Sequence, residues 1–140
     1  MSRKFEIEWP DFGVTVAVDL LDEENPELCE AFWQSLPFQT IFAASMSAGE
    51  MFKIPVRCTL PPAPPEKLRL FPEEPPGTLF SLGMGSLLLK YGTVAEPFRI
   101  PRIARVPKEE LDKLRNAATK LRDAYFFTKE INIATFRRKE

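Results

Sequence analysis

Histidine is missing from all 140 residues of the chain. Its absence removes the side chain that ordinarily changes charge near neutral pH and the commonest protein ligand of transition metals. Ser-His-Asp and Cys-His catalytic groupings are therefore ruled out. Cysteine is nearly as scarce. Cys29 and Cys58 are too few for a disulfide framework or a four-ligand zinc site, so they read as reduced, small apolar side chains. Long apolar runs are lacking too: Leu87-Leu88-Leu89 is among the longest, far below the roughly 20 residues that a membrane-crossing helix needs. No apolar stretch follows Arg3 and Lys4, so a secretory signal is not expected, and the cytoplasm is the expected compartment. Gly83-Met84-Gly85 has neither the lysine nor the helix of a phosphate-binding loop. No metal, cofactor or membrane partner is expected, and no repeated unit is visible.

What is present fits one ordinary globular domain, residues 1–140. The chain is 44% hydrophobic and 28% charged, with a net charge of −1. That charge is unevenly spread. Residues 1–76 hold 6 basic and 13 acidic side chains, and residues 77–140 hold 13 and 7. Halves of opposite sign that pack together explain this more simply than a basic face for an anionic ligand. A nucleic-acid partner is not expected, because base-stacking aromatics do not cluster among the basic residues.

The elements can be read along the chain. Phe5-Glu6-Ile7-Glu8-Trp9 alternates apolar and polar residues, Pro10-Asp11-Phe12-Gly13 turns, and 14–20 alternates again with Val14, Val16, Val18 and Leu20 on one face. The two segments predict an antiparallel hairpin. Asn25-Pro26-Glu27 opens a helix over 26–36 that Pro37 stops. Strands are expected over 38–46, 51–56, 77–82, 86–91 and 98–106. Between them, Pro61, Pro62, Pro64, Pro65, Pro72, Pro75 and Pro76 make residues 60–76 an extended surface loop lying over a pocket. Pro107 opens a helix reaching about residue 127, with Leu111, Leu114, Ala118, Leu121 and Tyr125 as its apolar stripe. The alternation of Ile131, Ile133 and Thr135 predicts a last strand. Short strands with one early and one late helix predict an α+β fold with a strongly curved or closed sheet, since closure protects strand edges.

Three stretches carry a resemblance. The first is the hairpin followed by residues 25–37, ending in Leu36-Pro37. The second is Ser47-Ala48-Gly49-Glu50-Met51-Phe52-Lys53-Ile54-Pro55. The third is Pro76-Gly77-Thr78-Leu79-Phe80 through Lys90-Tyr91-Gly92 to Glu96-Pro97. In this order they resemble the small bacterial cyclophilin-like proteins and, with them, the cyclophilin-like part of cucumopine synthase. The resemblance implies a small closed β-barrel. It also implies cofactor-independent chemistry on carboxylate-bearing metabolites, because cucumopine synthase condenses an amino acid with a 2-oxo acid. Prolyl isomerisation is not expected. Cyclophilins use an arginine, aromatic residues and a histidine around an apolar groove, and here histidine is missing and Arg57 lies in no such motif.

The residues that this chemistry would use are few. Lys90 ends an apolar strand and is placed to hold a carboxylate or, if desolvated, to act as a base. Tyr91, Glu96 and Glu50 are candidates for proton transfer, and Arg57 for a bidentate carboxylate clamp. Trp33 and Phe38, at the helix end, are candidate ligand platforms. Two function classes stand side by side. One is a cofactor-independent enzyme that handles an amino acid or 2-oxo acid in the barrel mouth. The other is a non-catalytic ligand-binding or scaffold module, in the binding case working as a homo-oligomer. A polar mouth where Lys90 and Glu96 converge would mark the first; an interior filled by Phe and Leu would mark the scaffold.

Overall fold

The computed structural model describes residues 2–83 and 85–140, so Met84 of the expected Gly83-Met84-Gly85 turn lies outside the described residues. The strands are β1 (Lys4–Trp9), β2 (Val14–Leu20), β3 (Phe38–Thr40), β4 (Ala43–Ala44), β5 (Gly49–Pro55), β6 (Leu68–Leu70), β7 (Thr78–Gly83), β8 (Ser86–Val94), β9 (Arg99–Arg105) and β10 (Ala134–Lys139), with helices α1 (Pro26–Ser35) and α2 (Leu111–Phe127). The hairpin forms as its alternation dictates: Phe5, Ile7, Trp9, Val16, Val18 and Leu20 are all fully buried.

The strands pair antiparallel in the order β3-β10-β1-β2-β9-β7-β8-β5-β4, with β6 pairing β9 to one side. Only Ile41 and Phe42 separate the two end strands in sequence, so the sheet curls until its ends meet. The result is a curled half-barrel; the expected complete closure does not occur. β4 is two residues long, and Pro55, beyond it on β5, has no N–H to offer a ladder. Across this seam the Thr40 hydroxyl donates to the Pro55 carbonyl at 2.6 Å.

The concave side is filled. Phe5, Phe32, Phe38, Phe42, Phe52 and Phe136 meet there with Trp9, and Phe38 stacks on Phe136 at 4.9 Å between ring centroids. Helix α1 inserts Leu28, Cys29 and Phe32 into this core, and α2 inserts Leu114, Ala117, Ala118, Leu121 and Ala124. α2 enters where β2 and β9 part company. These strands pair only at Asp19–Arg105 and Leu20–Ala104, and beyond that the Ala17 N–H is satisfied by the Glu110 carboxylate at 2.8 Å. The burial of α2 corrects one expectation: Tyr125 is half exposed, and Ala124 takes its place on the inner face. Another concerns the final strand, which begins at Ala134 and leaves Ile131 and Ile133 exposed. On β10, Arg137 pairs with Glu6 and Glu8 of β1.

The proline-rich segment packs as a layer against the outer face of the sheet. Phe71, fully buried, packs at 5.0 Å against the rings of both Phe80 and Phe98. With Met51, Leu88, Val94 and Ile100 they make a second small core on the outer face of β5, β7, β8 and β9. β8 is thereby covered on both sides, which is why its alternating positions 86–91 are all buried. Among the described residues no helix is long and apolar enough to cross a membrane.

Candidate functional site

The geometry of the site begins where β7 ends. The Gly77 N–H donates to the Lys90 carbonyl at 2.7 Å, and beyond that bond β8 continues without β7 beside it. The strand from Tyr91 to Thr93 therefore has an open side. A surface cleft of about 450 Å³ occupies it, lined by Glu50, Pro72, Glu74, Pro76, Lys90, Tyr91, Gly92, Thr93 and Arg115. This size falls within the range of small-molecule sites. Its walls come from β5, β8, α2 and the proline-rich layer.

Glu50 reaches the cleft through a bulge. The β5–β8 register shifts between Gly49 and Met51, which gives residue 50 no direct partner and re-aims its side chain. Two glycines permit this. Gly49, with φ of 118°, lies so close to β8 that a Cβ there would stand 2.4 Å from the Thr93 carbonyl oxygen. A Cβ on Gly92 would stand 2.3 Å from Oε1 of Glu50. The carboxylate thus lies across Gly92 and accepts the Thr93 N–H at 3.0 Å.

Lys90 projects to the outer face, away from the filled interior. It is 3% exposed, and its Nζ donates to the carbonyl oxygens of Phe71 at 3.2 Å and Pro72 at 2.8 Å. It forms no ion pair among the described residues. Burial pushes its pKa below the ordinary lysine range, and the charge of Glu74 acts in the opposite sense. Glu74 is itself engaged by Arg102 at 2.9 Å and Arg105 at 3.4 Å. Tyr91 keeps its ring in the core, stacked on Phe52 at 4.7 Å, and its hydroxyl at the rim accepts from Nη1 of Arg122 at 3.2 Å. That hydrogen bond raises the Arg122 pKa, and the Glu50 charge adds to the effect.

Of the residues singled out from sequence, Glu50, Lys90 and Tyr91 are brought together. Glu96 is not among the cleft residues. It forms no ion pair with Lys90 among the described residues, and the expected mouth shared by the two is not seen as one cleft. Arg57 is exposed and lines a different hollow with Gln39, Thr40, Ile41, Pro55, Val56 and Ile133 at the seam. Trp33 lies between the guanidinium groups of Arg3 and Arg138, each 4.9 Å from its ring, and Phe38 is core; both serve packing here. Arg115 and Arg122 were overlooked. Their seven-residue spacing puts both on one face of α2, a pattern visible in sequence but indistinguishable from a solvated basic face. Among the described residues no cluster of His, Cys, Asp and Glu could hold a metal. Cys29 is buried with its pKa pushed up to about 12 by desolvation, with the Asp22 charge adding to it, which excludes it as a nucleophile.

Fold and cleft together define a mixed α+β protein: a curled antiparallel sheet, two helices within it, and at one strand end a surface recess lined by two glutamates, a lysine, a tyrosine and an arginine. Comparison with known structures places this architecture. The structure of McbB in complex with tryptophan superposes with a TM-score of 0.87 and 29% sequence identity, covering 96% of this chain and 44% of McbB. The chain therefore spans less than half the length of McbB. The solution structure of the hypothetical protein AF2241 from Archaeoglobus fulgidus superposes with a TM-score of 0.67 and 12% identity, covering 99% of this chain and 95% of that one, a likeness of fold alone. No protein-family model and no curated protein matches the chain.

Proposed function

We propose that the chain binds a carboxylate-bearing metabolite, an amino acid or a 2-oxo acid, in the cleft at the end of β8. The observation that carries this reading is the meeting of Glu50, Lys90, Tyr91 and Arg115 around one recess, from segments far apart in sequence. An amino acid presents a carboxylate and an ammonium group a few ångströms apart. Arg115, exposed and free of ion pairs among the described residues, suits the former, and Glu50 the latter. The flat apolar surfaces of Pro72 and Pro76 leave room for a side chain. Support also comes from McbB, a protein seen in complex with tryptophan, 44% of which shares this fold. The resemblance to the cyclophilin-like part of cucumopine synthase points to the same class of ligand. In a catalytic version of this reading, Glu50 and Tyr91 exchange protons with the bound metabolite while Arg115 and Arg122 balance its charge.

The filled interior favours a second reading, a scaffold without a ligand, and the two are separable by calorimetry. Titration with L-tryptophan, other amino acids and 2-oxo acids should show saturable binding. Arg115→Gln and Glu50→Gln should each weaken it by about 10- to 100-fold, the loss of one charge-assisted hydrogen bond. Absence of binding by every compound, or binding that both variants leave untouched, would end the proposal in favour of the scaffold.

A further inference from the structure

Lys90 is an unusual lysine. Nearly all of its side chain is buried, yet no carboxylate pairs with it among the described residues, and two main-chain carbonyls take the place of a counter-charge. A neutral amine can donate both of its hydrogens to those two carbonyls and keep its lone pair unused. An ammonium group in the same place must hold a third hydrogen and a full charge in apolar surroundings, between the layer anchored by Phe71 and the face of β8. Lys90 is one of the residues that line the cleft, and the Pro72 carbonyl that receives its amine belongs to another of them.

Resting on the binding reading above, we infer that Lys90 is a nucleophile that forms an imine with the carbonyl group of a 2-oxo acid held in the cleft. The Nζ lone pair attacks the carbonyl carbon, and a first proton passes from the nitrogen to the carbonyl oxygen to give a carbinolamine. The C–O bond then breaks and water leaves, with one proton delivered to the departing hydroxyl and one lost from nitrogen. One amine and one carbonyl thus become one imine and one water, with no change of oxidation state. Once protonated, the imine nitrogen keeps a single N–H, which the Pro72 carbonyl, the nearer of the two acceptors, is placed to receive. Arg115 holds the carboxylate of the acid, and Glu50 is the group of the cleft suited to passing protons to the leaving water.

The test is reductive trapping on the intact protein. The chain is incubated with pyruvate or phenylpyruvate and cyanoborohydride, then examined by intact mass and peptide mapping, with calorimetry of the same acids on the same samples. The expected product is a single adduct at Lys90, heavier by the mass of the acid less one oxygen atom. It should form faster than adducts at exposed lysines, since a lowered lysine pKa raises the neutral, nucleophilic fraction of the amine. Lys90→Gln, which is uncharged and still carries hydrogen-bond donors, should lose the adduct while keeping the cooperative unfolding transition. Label spread over exposed lysines with Lys90 untouched, in a protein that binds the acids, would overturn the imine and leave the binding reading standing. Absence of both label and binding would overturn the two together.

Discussion

A lysine whose amine is buried without a counter-charge makes stability depend on pH in a definite direction. In the folded chain the Lys90 pKa lies below the ordinary lysine range because burial disfavours the charged form. Between the lowered value and the ordinary one, the unfolded chain binds more protons than the folded chain. Stability therefore rises with pH through that window, and the penalty is fully present below it. Lys90→Met removes the titrating group. The urea midpoint of the parent should climb relative to that of the variant as pH is raised toward the ordinary lysine pKa, and parallel curves for the two proteins would refute the assignment. Sequence inspection picks out Lys90 as odd because it ends a run of leucines, but assigns it to a barrel mouth. What it misses is Phe71: nothing in 60–76 signals that an aromatic among prolines covers the outer face of β8 and takes Lys90 with it.

Hairpins and helices are the most legible parts of this chain because their signals are local. β1, β2 and α1 follow from alternation and from Asn25-Pro26, and α2 from its three- and four-residue apolar spacing. β10 is legible only in part: alternation up to Thr135 signals a strand, but Arg137 finds its partners, Glu6 and Glu8, at the other end of the chain. β6 is hidden in the same way, its partner being β9. The bulge at Glu50 depends on a close approach of two strands that sequence does not show, although Gly49 and Gly92 are its trace. Gly92→Ala tests it. The added methyl must push the Glu50 carboxylate away from the Thr93 N–H, at a cost of about 1 kcal/mol for the lost hydrogen bond. Ligand affinity should fall with little change in fold. A variant that binds as tightly as the parent would show that the position of Glu50 does not matter for the cleft.

The molecule as a whole has three layers: two helices, a curled sheet, and a proline-rich outer coat. Charge ties the coat down. Arg102 of β9 lies between Glu24 and Glu74, within hydrogen-bonding distance of both, and so links the turn before α1 to the coat. Here the opposite charges of the two halves of the sequence meet, as the packing explanation requires. Burial works to raise the Glu24 pKa, but hydrogen bonding to Arg102 together with the charges of Arg102, Arg69 and Lys67 outweighs it and holds the carboxyl below its ordinary range. The apolar anchor of the coat is Phe71. Phe71→Ala should lower the stability of the coat by about 3 kcal/mol, in line with other truncations of buried aromatics. It should open residues 60–76 to limited proteolysis while the strands of the main core stay protected. Unchanged resistance of that segment would mean that the prolines alone hold it in place.

The coat supplies one wall of the cleft through Pro72, Glu74 and Pro76, and it supplies both acceptors of the Lys90 amine. An occupant of the recess consequently touches two bodies at once, the rigid end of a strand and a strap held by one aromatic plug and a pair of arginines. Whatever fraction of time the strap spends detached is subtracted from the apparent affinity. Reciprocally, a bound metabolite clamps the strap shut, so the most sensitive reporter of occupancy is the survival of the peptide bonds between residues 60 and 76.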